Sequence, residues 1–260
     1  MDAFVDPLAL LSLQMDWGAD EALADAPINR MAGTPPVPAR ATLGAALGEA
    51  RHPHTVPQAR PPANAGSPSV VATTMEELRA AIRGFTGCAL RDTATNPVLV
   101  EGNADGGLLV IGEPPVAEDD RSGRPFSGLA GAVLDRILAA IGLDREKILL
   151  APLIPWRPPG SRPPTDAELA QCIPLLNSLI VLTQPRRIML TGILPVRALL
   201  GSGVTLRRSR GQWMDLTIPG LNGAIPALAS AGLGNLKSAA DRRAVWADWR
   251  LLHRSIHLKS

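Results

Sequence analysis

Runs of consecutive apolar residues alternate with stretches of helical spacing along most of this chain. Leu108 to Ile111 is unbroken, with no polar residue alternating into it, as in a strand covered on both faces. Lys147 to Ala151, Arg186 to Thr191 and Ala224 to Leu228 read as further strands, and Val98 to Val100, after a turn at Asn96-Pro97, as a short one. Between them the period lengthens. Leu129, Val133, Leu134, Ile137, Leu138 and Ile141 line one face of a helix from about Ser127 to Ile141. Thr165-Asp-Ala-Glu168 is a capping box that opens a helix through Leu182. Leu194 to Leu200 forms another, and Val245, Trp246, Trp249 and Leu252 mark a C-terminal amphipathic helix with both tryptophans in the core. Upstream, Thr73-Thr74-Met75-Glu76-Glu77 sets a Thr cap and first-turn acids at the head of a helix that runs to about Gly84. Such alternation predicts an α/β fold, a parallel sheet with helices on both faces and right-handed crossovers.

Before residue 73 the pattern fades. Leu8, Leu11, Leu13 and Met15, then Trp17, Ala22 and Leu23, space a short amphipathic helix broken at Gly18, so residues 1–31 read as an N-terminal helical extension. Residues 32–72, rich in Pro, Ala, Gly and Arg, read as a flexible linker, which leaves 73–260 as the folded domain. There is no internal repeat. The apolar runs fall far short of the roughly 20 residues a membrane span requires. Asp2 and Asp6 stand where a secretory signal carries positive charge, so the expectation is a cytoplasmic protein with no membrane partner.

Charge adds a direction. The net charge is +2, but residues 186–260 hold twelve Lys/Arg against three Asp/Glu, whereas residues 1–100 hold seven against ten. Nearly all the cations are Arg, whose planar fork pairs two phosphate oxygens at once, although a high-GC genome also favours Arg codons. Nucleic acid is therefore a candidate partner. The chain has two cysteines, Cys88 and Cys172, outside any CxxC pair; alone they make no metal site and are expected reduced and buried. His52 and His54 fall in the linker and His253 and His257 near the C-terminus, poor places for a catalytic imidazole.

The stretch from Gly107 to Gly131 carries the candidate chemistry. Gly112 ends the first strand where a parallel sheet keeps its ligand crevice, which sets Glu113 at the rim. Pro114 and Pro115 stiffen the turn, Glu118, Asp119 and Asp120 read as a solvated face paired with Arg121 and Arg124, and Phe126 sits between Pro125 and Ser127. The plainer reading is an ordinary strand-to-helix loop with a solvated Glu113 and a core Phe126. Further on, a proline-rich loop from Pro152 carries Trp156, Arg157 and Arg162, and Leu206 to Trp213 forms a basic, hairpin-like segment. The pairs Arg186/Arg187 and Arg242/Arg243 read as solvent-facing.

Gly-Glu-Pro-Pro-Val-Ala-Glu-Asp-Asp-Arg-Ser-Gly-Arg-Pro-Phe-Ser-Gly at 112–128, followed by Arg-Pro-Pro-Gly-Ser-Arg at 157–162, resembles the uracil-DNA glycosylase superfamily, most closely its iron–sulfur branch, family 4. The similarity runs from about Phe85 to Leu252, and Trp17-Gly-Ala-Asp-Glu-Ala resembles an N-terminal extension of some members. The resemblance implies a three-layer α-β-α fold with a central four-stranded parallel sheet. It implies a monomeric repair enzyme that everts a uracil, or another deaminated or damaged base, from DNA and hydrolyses its glycosidic bond. Glu113 takes the role of the carboxylate beside the sugar, Phe126 that of the stacking face, and Gly112, Pro114, Pro115 and Val116 line the pocket. Arg210-Gly211 with Trp213 matches a segment near the DNA, and Arg157, Arg162, Arg207, Arg208 and Arg210 become phosphate contacts.

Its departures from the family pattern are as informative. Cys88 and Cys172 occupy two of the four cluster-ligand positions and Phe85 and Trp156 the others; two thiolates cannot hold a four-iron cluster, so neither cluster nor other metal is expected. Ala229 stands where the family has a His that hydrogen-bonds the departing base, and Pro152 where it has an Asn that reads the uracil edge. Ser230, or backbone N–H groups between Ala229 and Asn235, would then supply the missing donor, with a relaxed base preference. The alternative is a catalytically degenerate DNA-binding protein of the same fold. A nucleotide-binding α/β protein is the weaker choice, because no phosphate-cradling Gly-rich loop follows a strand.

Overall fold

A computed structural model describes residues 72–257 of the 260. The expected helical extension and nearly all of the linker lie outside the described residues. Fourteen elements follow in order: α1 (Met75–Gly84), α2 (Leu90–Thr93), β1 (Glu101–Gly102), β2 (Leu108–Gly112), α3 (Ala117–Ser122), α4 (Leu129–Ala140), β3 (Leu149–Pro152), α5 (Asp166–Thr183), β4 (Arg187–Thr191), α6 (Ile193–Leu200), α7 (Leu206–Ser209), β5 (Trp213–Thr217), β6 (Ala224–Ser230) and α8 (Ala239–His257). Two of the starts follow directly from the sequence: Thr74 and Thr165 accept from the N–H groups of Glu77 and Glu168, and each Glu reaches back to its cap.

The six strands form one mixed sheet in the order β1-β3-β2-β4-β6-β5. The central four, β3-β2-β4-β6, run parallel, and β1 and β5 close the edges antiparallel. Alternate strand residues face opposite layers. Leu109, Ile111, Ile188, Leu190 and Ala227 meet α1 and α5 through Leu78, Ile82, Leu175 and Leu179. Leu108, Val110, Leu150, Met189 and Leu228 meet α4 and α8 through Leu134, Leu138, Val245, Trp249 and Leu252. Apolar packing on both faces explains why these strands show continuous rather than alternating hydrophobicity. The chain leaves β2 for β3 on one side and returns to β4 on the other, so the crevice of this sheet opens between the ends of β2 and β4.

Five expectations need correction here. Val98 to Val100 is no strand: the N–H groups of Val98 and Leu99 donate to Pro155 O and Gly123 O, and pairing with β3 begins at Glu101. Leu206 to Trp213 is no hairpin but the one-turn α7 followed by edge strand β5. The acidic loop is helical, α3, and Asp119 and Asp120 are buried, because backbone N–H groups need them: Asp120 accepts from Thr95 and Asn96, Asp119 from Val116 and Ser127. Arg124 pairs instead with Glu101. Trp249 is fully buried, but Trp246, three residues earlier on α8, is 37% exposed, and Arg187 turns inward to donate to Ser255 O at 2.5 Å. Among the described residues no helix is long and apolar enough to cross a membrane.

Candidate active site

Three strand ends converge at the switch point, tied by backbone and side-chain bonds. Thr191 Oγ1 donates to Ile111 O at 3.0 Å, linking β4 to β2, and Gly192 N–H donates to Ser230 O at 2.9 Å, linking β4 to β6. Glu113, the first residue beyond β2, reaches across to this junction. Its Oε1 accepts from Ile193 N–H at 3.2 Å, at the head of α6. Gly192 has φ +118°, and a Cβ there would overlap the Glu113 carboxyl; a Cβ on Gly232, beyond β6, would lie 3.5 Å from the same group. Glycine at 192 thus permits both the turn and the close approach. Glu113 keeps a solvent-exposed outer edge, while protein crowds its carboxylate from the sheet side. Burial pushes its pKa above the ordinary carboxylate value, opposed by the N–H groups of Ile193 and Leu194.

Phe126 lies across the end of β2. A Cβ on Gly112 would sit 2.7 Å from its ring Cζ, so the absence of a side chain at 112 lets the ring rest on the backbone. Phe126 is buried and has φ +53°, a left-handed conformation that costs a non-glycine residue on the order of 1–3 kcal/mol. Pro114, Pro115 and Val116 carry the chain from Glu113 into α3; Pro115 is buried and Val116 exposed. Pro152, the last residue of β3, pairs with Gly112, and Ala229 lies fully buried in β6.

Ser230 and Arg210 depart from expectation together. Ser230 is fully buried and its Oγ donates to Asp248 Oδ2 at 2.9 Å, so its proton is committed away from any base. Arg210 Nε and Nη2 donate to the same oxygen at 3.0 and 2.9 Å, which turns its fork inward rather than toward phosphate. Burial still raises the pKa of Asp248 above the usual aspartate value, against the opposing pull of Ser230 and Arg210. Of the other arginines, Arg162 grips Glu168 with both terminal nitrogens and holds its carboxyl down at about 2. Arg157 Nη2 donates to Ser161, while its Nε is buried without a protein partner. Arg207 and Arg208 are exposed on α7. Gly192, Gly232 and Asp248 were not singled out from the sequence; a glycine directly after β4 was the only available hint.

The four positions that the resemblance assigns to cluster ligands share one apolar layer. The rings of Phe85 and Trp156 stack with centroids 5.8 Å apart and an interplanar angle of 20°. Cys88 and Cys172 are free, buried thiols, and burial, reinforced by the neighbouring Cys88, pushes the Cys172 pKa well up. Two buried thiols and two aromatic rings do not fit a cluster that takes four thiolates. Among the described residues no group of three or more His, Cys, Asp or Glu could hold a metal ion.

A family model described as the uracil DNA glycosylase superfamily matches residues 99–250. The chain is 33% identical over 126 residues to a type-4 uracil-DNA glycosylase of Pyrobaculum aerophilum, covering 48% of this chain and 64% of that protein, a little under two thirds of its length. It is 34% identical over 142 residues to the type-4 uracil-DNA glycosylase of Thermotoga maritima, covering 54% and 74%, and 40% identical over 85 residues to that of Archaeoglobus fulgidus, covering 33% and 43%.

Proposed function

This chain belongs to the uracil DNA glycosylase superfamily, and we propose that it hydrolyses the N-glycosidic bond of uracil, and of related deaminated bases, in DNA to leave an abasic site. The observation that carries this reading is Glu113, fixed at the crevice between β2 and β4 by the Ile193 N–H and the bare backbones of Gly192 and Gly232. In the reaction the C1′–N bond breaks, its electron pair leaves with the base, and the sugar becomes an oxocarbenium ion. A negative charge held beside C1′ stabilises that cation, and the carboxylate, made more basic by burial, orients the attacking water. The oxygen of water ends on C1′ and its proton on the base. The ring of Phe126 offers a stacking face and the 112–116 backbone the pocket wall. With no His at 229 and Ser230 bonded to Asp248, backbone N–H groups between Ala231 and Asn235 are left to receive the departing base. Loss of the edge-reading amide at Pro152 widens base choice rather than stopping cleavage. Arg207 and Arg208, exposed on α7, are the phosphate contacts of this reading. A monomer acting in the cytoplasm on everted uracil completes it.

The test is direct. Oligonucleotides with one uracil, incubated with the protein and heated in alkali, should break at that site and not at a thymine control. A folded sample that breaks none of the uracil, hypoxanthine or xanthine substrates overturns the enzyme. The second reading, a DNA-binding protein without chemistry, is favoured by one observation: Glu113 caps α6, a role it keeps without any reaction. That reading expects retention of DNA with no alkali-labile sites.

No iron–sulfur cluster is part of the proposal. Phe85 and Trp156 fill the volume by stacking, a replacement tolerated when shape is kept. Protein expressed with added iron and purified without oxygen should carry far less than one iron per chain and no brown colour. Stoichiometric iron would refute it.

A further inference from the structure

Phe126 takes a conformation that its residue type avoids, and charged side chains grip it from two sides. Ser127 N–H, immediately after it, donates to Asp119 Oδ1 at 2.6 Å, while Asp119 Oδ2 accepts from Val116 N–H at 3.1 Å. From the other side Arg145 Nη2 donates to Phe126 O at 2.7 Å and Nη1 to Pro125 O at 3.3 Å. Arg145 is anchored in turn by Asp135, 2.6 Å from its Nε, with Glu101 at 3.8 Å. Gly131 in α4 completes the grip, since a Cβ there would overlap the Phe126 carbonyl. A loop that only joined α3 to α4 would use glycine at a left-handed position. Here phenylalanine is held there by two ionisable groups from separate elements, and strained backbone that its surroundings over-determine marks a functional position.

We propose that Asp119 and Arg145 are positioning residues, which together lock the Phe126 backbone so that its ring stays fixed over Gly112, preset to stack on an everted base. This rests on the reading of Phe126 as the stacking face. Ordering the ring during folding removes that entropy cost from substrate binding. Release of either grip lets Phe126 relax to negative φ, and the ring leaves Gly112.

The experiment makes Asp119→Asn and Arg145→Met singly and each with Phe126→Ala, plus Arg145→Lys, which keeps the charge but not the fork. kcat/KM for uracil excision should fall about tenfold in either single variant, mainly through KM, within the range that base stacking contributes. That loss should vanish in the Phe126→Ala background, because the effect passes through the ring. Arg145→Lys should lie between wild type and Arg145→Met. A second readout needs no reaction: the Gly112 amide and α-proton resonances, shifted by the ring above them, should move toward random-coil positions in both single variants. Since these shifts report ring placement whether or not any base is excised, failure of the glycosylase reading leaves them intact. Unchanged Gly112 resonances in folded variants, or kinetic losses that persist in full without the Phe126 ring, would overturn the proposal. Arg145→Lys decides the same point from its Gly112 resonances if the other variants do not fold.

Discussion

Glu113→Gln should lower kcat/KM for uracil excision roughly 10²- to 10³-fold, the usual cost of removing one group that opposes charge in the transition state, with DNA retention unchanged. Glutamine suits the question because Glu113 has two separable tasks. As a cap it accepts from Ile193 N–H, and the amide oxygen of Gln does that equally well. As the proposed catalytic group it opposes a cation, and an uncharged amide cannot. Glu113→Ala removes both, adding about 1 kcal/mol of lost capping to the kinetic defect. A melting temperature kept by Gln and lowered by Ala, with excision reduced at least about 10²-fold in both, would separate the roles. The pH profile gives an independent check. Burial raises the Glu113 pKa, and the required form is the carboxylate, so activity should climb with pH through an acid limb lying above the ordinary glutamate value of about 4.3. That limb should disappear from the residual activity of Glu113→Gln. Excision in the Gln variant within about threefold of wild type would remove Glu113 from the chemistry.

The layers of this molecule were legible because burial on both faces writes continuous apolar runs into parallel strands, and the capping boxes at Thr74 and Thr165 mark two helix starts unambiguously. Edge strand β5 was not legible. Of Trp213 to Thr217 only Leu216 is fully buried, so its sequence resembles the loops on either side. Asp119 and Asp120 misled for a related reason: adjacent acids beside Arg121 read as solvated, and nothing local reveals that N–H groups from Thr95, Asn96 and Ser127 converge on them. The position of Glu113 at the strand end could be read from the sequence, whereas its partners could not. They lie about eighty residues downstream, at Gly192 and Ile193, and only the order β3-β2-β4 brings them together. Arg210 was a phosphate contact by resemblance and is an inward-facing partner of Asp248 by topology, because α7 and α8 both pack against β6.

That burial sets the largest expected effect on stability. Arg210→Ala leaves Asp248, 4% exposed, with only the Ser230 hydroxyl, and removing one member of a buried ion pair costs about 3–5 kcal/mol. Urea unfolding at pH 7 should show the loss as a lower midpoint at constant slope. Its pH dependence follows from the sign of the shift. Asp248 has a folded pKa above its unfolded value of about 3.9, so its contribution is fully present below that value and declines as pH rises through the folded pKa. Arg210 holds that folded pKa down; without it the pKa rises further, the decline with pH steepens, and the gap between wild type and variant opens above about pH 4 and closes toward it. Arg210→Met with Asp248→Leu removes the charge along with its partner and should recover most of the lost stability, as buried pairs replaced by apolar side chains often do. A gap that keeps its full size at pH 4, or a double variant no more stable than Arg210→Ala, would mean that Arg210 stabilises by packing its stem rather than by pairing with Asp248.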